Sequence, residues 1–157
     1  MAKIPSTPAL RLLRDAGIAH TLHPYRYRTG SGTAGFSEAT GIDEHTVVKT
    51  LVFDGDAGAT VVLMHGDREV SVRALARHLG VKNMAPATTA VAERLTGYRV
   101  GGISPFGTRQ VLPVVVQSSV LELPRVHVNA GSRGLLVGID PAVFVDLLDA
   151  ATADVAT

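Results

Sequence analysis

Apolar positions along this chain fall into short runs, punctuated by glycine and proline, and their spacing switches between helical and strand periods. Thr7 followed by Pro8 is a cap-plus-proline signal for a first helix, with Ala9, Leu12, Leu13 and Ala16 on one face and Arg11, Arg14 and Asp15 opposite. Gly17 supplies the stop. Residues 18–25 are expected to be extended, with Ile18, His20 and Leu22 on one side and Thr21 and His23 on the other. The stretch 29–35 (TGSGTAG) reads as a mobile glycine-rich loop, followed by a short helix over 36–40 closed by Gly41. Asp43 can cap one more helical turn.

The run Val47-Val48-Lys49-Thr50-Leu51-Val52-Phe53 predicts a strand buried on both faces with a single cation inside it. Alternation puts Lys49 on the face of Val47, Leu51 and Phe53, while Val48, Thr50 and Val52 occupy the other. An unpaired buried ammonium is costly. Lys49 therefore either snorkels to water at the strand's start or awaits an anionic or oxygen-rich ligand. The turn-rich residues 54–58 (DGDAG) join 51–53 to a second run at 60–64, so a hairpin is expected.

Ser71 can cap a helix in which Val72, Leu75, Ala76 and Leu79 share a face, Arg73 and Arg77 stay exposed, and Gly80 ends the run. Thr88 or Thr89 starts another helix through Leu95, stopped at Gly97. A glycine/proline loop at 101–107 precedes strands near 111–117, 125–129 and 135–139. Pro113 implies that the first of these is an edge strand or begins at the proline. Asp140-Pro141 repeats the helix-start signal for a last helix through Leu148, and the tail after Asp149 is expected to fray. Without regular βαβ alternation, the fold class that fits is α+β: one compact domain, 1–157, with a mixed sheet and helices packed around it.

The chain's 157 residues suffice for a real core. With 46% hydrophobic but only 4% aromatic residues and no tryptophan, that core must be built from Val, Leu and Ala. A net charge of +1 excludes a strongly basic coat but leaves room for local phosphate contacts. No cysteine is present, so disulfides, thiolate metal sites and an enzyme-borne thiol nucleophile are excluded. The N-terminus lacks a signal-peptide core and no apolar run reaches membrane-spanning length, so a soluble, cytoplasmic protein is expected. His20 and His23 point to opposite faces of their strand, and His45, His65, His78 and His127 show no ligand spacing. Neither metal nor cofactor is expected.

Several segments together resemble the free-standing aminoacyl-tRNA editing deacylases of the YbaK type, within the wider YbaK/prolyl-tRNA-synthetase-associated domain family. They are Thr7-Pro8-Ala9 with Leu12-Leu13, Ala16-Gly17-Ile18, Thr21-Leu22-His23-Pro24-Tyr25, and Val48-Lys49-Thr50-Leu51-Val52. The stretch 96–107 (TGYRVGGISPFG), Leu112-Pro113 and Gly131-Ser132-Arg133-Gly134-Leu135 complete the set, nearly end to end and in order. The resemblance implies a curved mixed sheet and a pocket for the aminoacylated 3′ end of a mischarged tRNA. It also implies removal of cysteine from Cys-tRNA(Pro), with prolyl-tRNA synthetase as a plausible partner. Lys49, in the family's (F/V)KTL motif, would be the critical residue, and Tyr25, Thr50, Gly101, Gly102, Ile103, Ser104 and Asn129 would contact substrate. Asn129 stands where relatives often have Ser, and Val143 replaces a common acidic residue, with Asp140 the nearest carboxylate.

No Ser/His/Asp or Cys/His arrangement and no G-x-S-x-G elbow is present. What the sequence offers is a cation, glycines that let backbone N–H groups approach, and the Ser104 hydroxyl, a set suited to positioning and polarising rather than attacking. The family mechanism has the substrate cysteine's own thiol attack its ester carbonyl to give a β-thiolactone. A thiol of pKa about 8.5 makes a good nucleophile near neutrality. Three readings remain open at this level: a Cys-tRNA(Pro) deacylase, the same fold editing another misacylated tRNA such as Ala-tRNA(Pro), and a non-catalytic module that binds a tRNA 3′ end or nucleotide.

Overall fold

The computed structural model describes residues 3–157. Eight strands form one mixed sheet: β1 (Thr21–Pro24), β2 (Val47–Gly55), β3 (Thr60–His65), β4 (Met84–Pro86), β5 (Val114–Gln117), β6 (Val126–Ser132), β7 (Leu135–Ile139) and β8 (Ala151–Ala153). Their order is β1-β7-β6-β2-β3-β5-β8, with β4 attached to β2 off that path. The helices are α1 (Pro8–Asp15), α2 (Gly32–Thr40), α3 (Val72–Leu79), α4 (Thr89–Thr96) and α5 (Ala142–Leu148). The α+β mixed sheet inferred from the sequence is the architecture found.

Alternation along the central strands splits the interior into two cores. Val48, Val61, Leu63, Val116, Val128 and Val137 face the side covered by α1 and α5, where Leu13, Phe106 and Phe144 complete the packing. Val62, Met64 and Val115 face α3, which contributes Leu75 and Ala76. Such side chains are each worth about 1.5–3 kcal/mol when buried. The hydroxyl of Thr7 serves two elements at once. It accepts from the Leu10 N–H at 3.1 Å, capping α1 as the sequence predicts, and donates to the Ala130 carbonyl on β6 at 2.6 Å.

Two expectations are corrected. The glycine-rich stretch 29–35 is not all loop: α2 begins at Gly32, because burying Phe36 against Val47 and Leu136 outweighs the poor helix propensity of glycine. The tail does not fray. It adds β8 in parallel to β5, buries Val155 completely and bridges Ala156 to Val70. Gln117 holds it there, accepting from the Val155 N–H at 2.7 Å and donating to Asp154 at 2.9 Å. Of the two positions the sequence allows Pro113, the strand's start is the one found: β5 begins just after it and lies between β3 and β8. β4, too short to show a period, was not foreseen.

Three buried or half-buried histidines line this framework. His23 meets His127 edge-on at 4.9 Å, and His65 is fully enclosed. In each, burial is the main force lowering the pKa from 6.5, with neighbouring positive groups adding to it. The unfolded chain therefore takes up protons near pH 6.5 that the folded chain refuses, so stability falls as pH drops from that value. The midpoint of urea unfolding should be level above neutrality and decline between pH 6.5 and 5. A midpoint constant over that interval would contradict this reading. Thr7→Val should cost about 1–2 kcal/mol in the same measurement, through the lost cap and the orphaned carbonyl.

Candidate active site

Strand β2 changes partners half-way along. Val47 and Val48 pair in parallel with β6, whereas Phe53, Asp54 and Gly55 pair antiparallel with β4. On its other side β2 is paired with β3 from Val48 to Phe53 without a break. Between the two partners the sheet is split, and the edge of β2 there is unpaired. The Val52 carbonyl accepts from the Ala87 N–H at 2.9 Å on that side, so by alternation the Thr50 N–H and C=O point into the split, where no strand answers them. The Thr50 hydroxyl is also buried without a hydrogen-bond partner. Three orphaned polar groups at one residue are rare in a native interior and call for a ligand or water.

A cavity of about 670 Å³ opens over this split. Its size lies within the ordinary range of ligand sites. Tyr25, Tyr27 and Phe36 form an aromatic wall, with Tyr25 and Phe36 edge-to-face at 5.1 Å. Burial, reinforced by Tyr27, raises the Tyr25 pKa, so its hydroxyl stays protonated and available as a donor near neutrality.

Lys49 lines the cavity with its side chain 17% exposed. It does not stand unpartnered: Nζ donates to the Arg68 carbonyl at 2.6 Å and lies 3.4 Å from the Glu69 carboxylate. Glu69 itself is 81% exposed, so the pair is open on one side. An ammonium has three N–H groups. Two are directed at the protein, which leaves one for a ligand. Segment 68–71 follows β3, the hairpin neighbour of β2, and the pairing of Val70 and Ser71 with the C-terminal residues holds it there.

The opposite wall comes from the 96–107 segment. Tyr98, buried, donates to the Phe106 carbonyl at 2.6 Å and so ties the loop's end to its start. Burial pushes the Tyr98 pKa up to about 12, which keeps it a donor. Gly101 takes φ +92°, and a Cβ there would strike the Tyr27 hydroxyl; at Gly102 it would meet the Arg133 backbone nitrogen at 2.8 Å. Asn129 joins the loop to β6. It donates to the Gly101 carbonyl at 3.2 Å and accepts from the Gly131 and Ser132 N–H groups at 2.7 and 3.2 Å, filling the β6 bulge.

Of the residues singled out from the sequence, Tyr25, Lys49, Thr50, Gly101, Ile103 and Asn129 are brought to one cavity. Gly102 and Ser104 are not on its lining. Ser104 is fully buried and accepts from the Phe106 N–H at 3.2 Å, the role of a turn residue. Val143, on α5, faces the core rather than the rim. Tyr27 and Phe36 were missed; both are isolated aromatics flanking a glycine-rich stretch, and only chain folding brings them to Tyr25.

Away from the cavity, His45, His65 and Asp67 place ligand-type atoms within 4.8 Å of one another. The two rings stack in parallel at 3.9 Å and 7°. His65 Nδ1 donates to the His45 carbonyl at 2.8 Å, and Nε2 accepts from Ser119 at 2.7 Å. Parallel rings aim their in-plane lone pairs side by side rather than at one point, so this cluster is a hydrogen-bonded stack.

Fold and site define an α+β ligand-binding domain whose pocket is a split in its own sheet, floored by one cation and unpaired backbone. The chain belongs to the aminoacyl-tRNA editing domain family, whose model matches residues 31–147. A protein of Enterococcus faecalis with the name "Putative Cys-tRNA(Pro)/Cys-tRNA(Cys) deacylase EbsC" is 26% identical over 153 residues, covering 96% of this chain and 93% of the relative. A proline–tRNA ligase of Ligilactobacillus salivarius is 33% identical over 113 residues; the match takes in 70% of this chain but only 20% of the ligase. Among solved structures, "a putative trans-editing enzyme for prolyl tRNA synthetase" superposes with TM-score 0.84 at 27% identity, over 98% of this chain and 99% of that one.

Gly102→Ala tests whether the loop's seat matters to the cavity. Its methyl group must push Arg133 and Ser132 away, which should cost about 1–3 kcal/mol and shift Gly101. A thermal melt and ligand-binding signal both unchanged from wild type would refute this.

Proposed function

We propose that this protein is a trans-acting aminoacyl-tRNA deacylase that removes cysteine from Cys-tRNA(Pro). The observation that carries the proposal is the triple vacancy at Thr50 beside Lys49: N–H, C=O and hydroxyl, all unpaired, next to a cation with one free N–H. A ribose with vicinal oxygens and an ester carbonyl presents the complementary donors and acceptors. The family membership and the printed name of the Enterococcus relative point the same way.

The cavity lining contains no histidine, serine or cysteine; its threonine hydroxyls are those of Thr33, which donates to the Glu44 carboxylate at 2.7 Å, Thr50 and Thr89. On this reading the attacking group comes from the substrate. In the proposed course the cysteine sulfur attacks the ester carbonyl carbon, the bond to the ribose oxygen breaks, and that oxygen leaves with a proton. The products are a β-thiolactone, which water later opens, and tRNA with a free 3′ end. Lys49 and the Thr50 N–H would stabilise negative charge as it develops on the carbonyl or leaving oxygen. Tyr25, Ile103 and Asn129 would position the 3′ end, Asn129 mainly by holding the Gly101 carbonyl in place. Lys49 acts as a charge rather than a base, since its ammonium is already spent on two acceptors. Prolyl-tRNA synthetase is the proposed partner for selecting the tRNA, and the cytoplasm the proposed compartment.

The test is deacylation of Cys-tRNA(Pro), Ala-tRNA(Pro) and Pro-tRNA(Pro) side by side. Cysteine should be released and the other two, lacking a thiol, left essentially intact. Release of alanine at the cysteine rate would rule out thiol participation, and inertness towards all three would remove the enzyme reading in favour of a binding module. Lys49→Ala should fold and lose at least tenfold in kcat, about 1.4 kcal/mol of transition-state stabilisation. Full turnover in that variant would take Lys49 out of the mechanism.

A further inference from the structure

We propose that a basic groove on α3 and the turn behind it binds the sugar–phosphate backbone of the RNA whose 3′ end enters the cavity. The groove, about 410 Å³, is lined by Val72, Arg73, Ala76, Arg77, Val81 and Lys82. Val72 lines the cavity as well, so the two sites share a lip. An RNA end seated over Thr50 that leaves by way of this lip passes directly onto α3.

The sequence places Arg73 and Arg77 one turn apart, and the fold decides what that spacing does. α3 turns Leu75 and Ala76 into the core, which fixes both arginines outward, about 6 Å apart along the axis. Lys82 follows the Gly80 cap and closes the far side. Among the described residues none of the three cations enters an ion pair. A carboxylate next to this turn, Asp56, accepts from the Asn83 N–H at 3.0 Å. Three such cations in one groove of a chain with net charge +1 form a local field that the overall composition conceals. Arg11 and Arg14 do not extend it: they sit on α1, over the other core, bonded to Ser6 and Asp15. The groove is shallow and presents charged forks to its surroundings, which suits phosphate oxygens rather than base edges.

The inference rests on the editing reading, and the experiment separates the two. Wild type and the double variant Arg73→Ala/Arg77→Ala are assayed on full-length Cys-tRNA(Pro) and on the cysteinyl ester of a CCA trinucleotide, between 50 and 200 mM salt. On the full tRNA the variant should raise KM about tenfold and flatten the dependence of log KM on log salt by roughly 1.4–1.8, the share of two phosphates. On the trinucleotide it should match wild type. Unchanged KM and salt slope on the full tRNA would overturn the proposal, and so would equal losses on both substrates, which would signal damage to the cavity. Intact RNA binding with lost capture of prolyl-tRNA synthetase would also overturn it, making the groove a protein interface. Failure of wild type to cleave either ester would remove the editing reading itself.

Discussion

A strand that exchanges one neighbour for another part-way along must leave backbone groups without mates, and the chain around β2 is arranged about that gap. β6 accompanies β2 only as far as Val48, and β4 joins it only from Phe53. Leaving buried donors and acceptors unpaired costs about 1–3 kcal/mol each. A fold retains such a defect only where the rest of the structure over-determines it. Here β3 holds the other edge of β2 in unbroken register, and both faces of the strand are packed into separate cores. The defect is thereby isolated and held at the cavity.

The walls of the cavity follow from keeping that gap open. Asn129 fills the β6 bulge with its own side chain, so β6 bends away from β2 without losing its hydrogen bonds. The same side chain anchors the glycine loop, and Tyr98 locks the loop's far end. On the other side, the C-terminal residues pair with segment 68–71 and place a carbonyl against Lys49. A residue that looked like a departure from the family pattern and a tail that looked expendable thus both position the proposed site.

The chemistry proposed for this cavity relies on charge, backbone dipoles and shape, with no histidine, serine or cysteine on the lining. Such a pocket would favour a substrate that carries its own attacking group. Specificity for cysteine would then follow from reactivity rather than from fit, and a small pocket need not tell cysteine from amino acids of similar size.

Helix ends, the hairpin and the two-faced burial of β2 were legible in the sequence because each depends on near neighbours: Thr7 caps its own helix, and Gly41, Gly80 and Gly97 end theirs. The presence of one cation in an apolar strand was equally plain. Its partners were not, since Arg68 and Glu69 lie in the turn beyond β3, whose course is fixed by contacts with residues some 85 positions away. For the same reason the first turn of α2 and the whole of β8, weak by propensity, exist because Phe36 and Val155 find burial against distant strands. The groove beside α3 could not be told from an ordinary solvated face until the fold showed which arginines stand together. Local chemistry selected the elements; long-range burial and pairing decided where the sheet would split, and the split is the site.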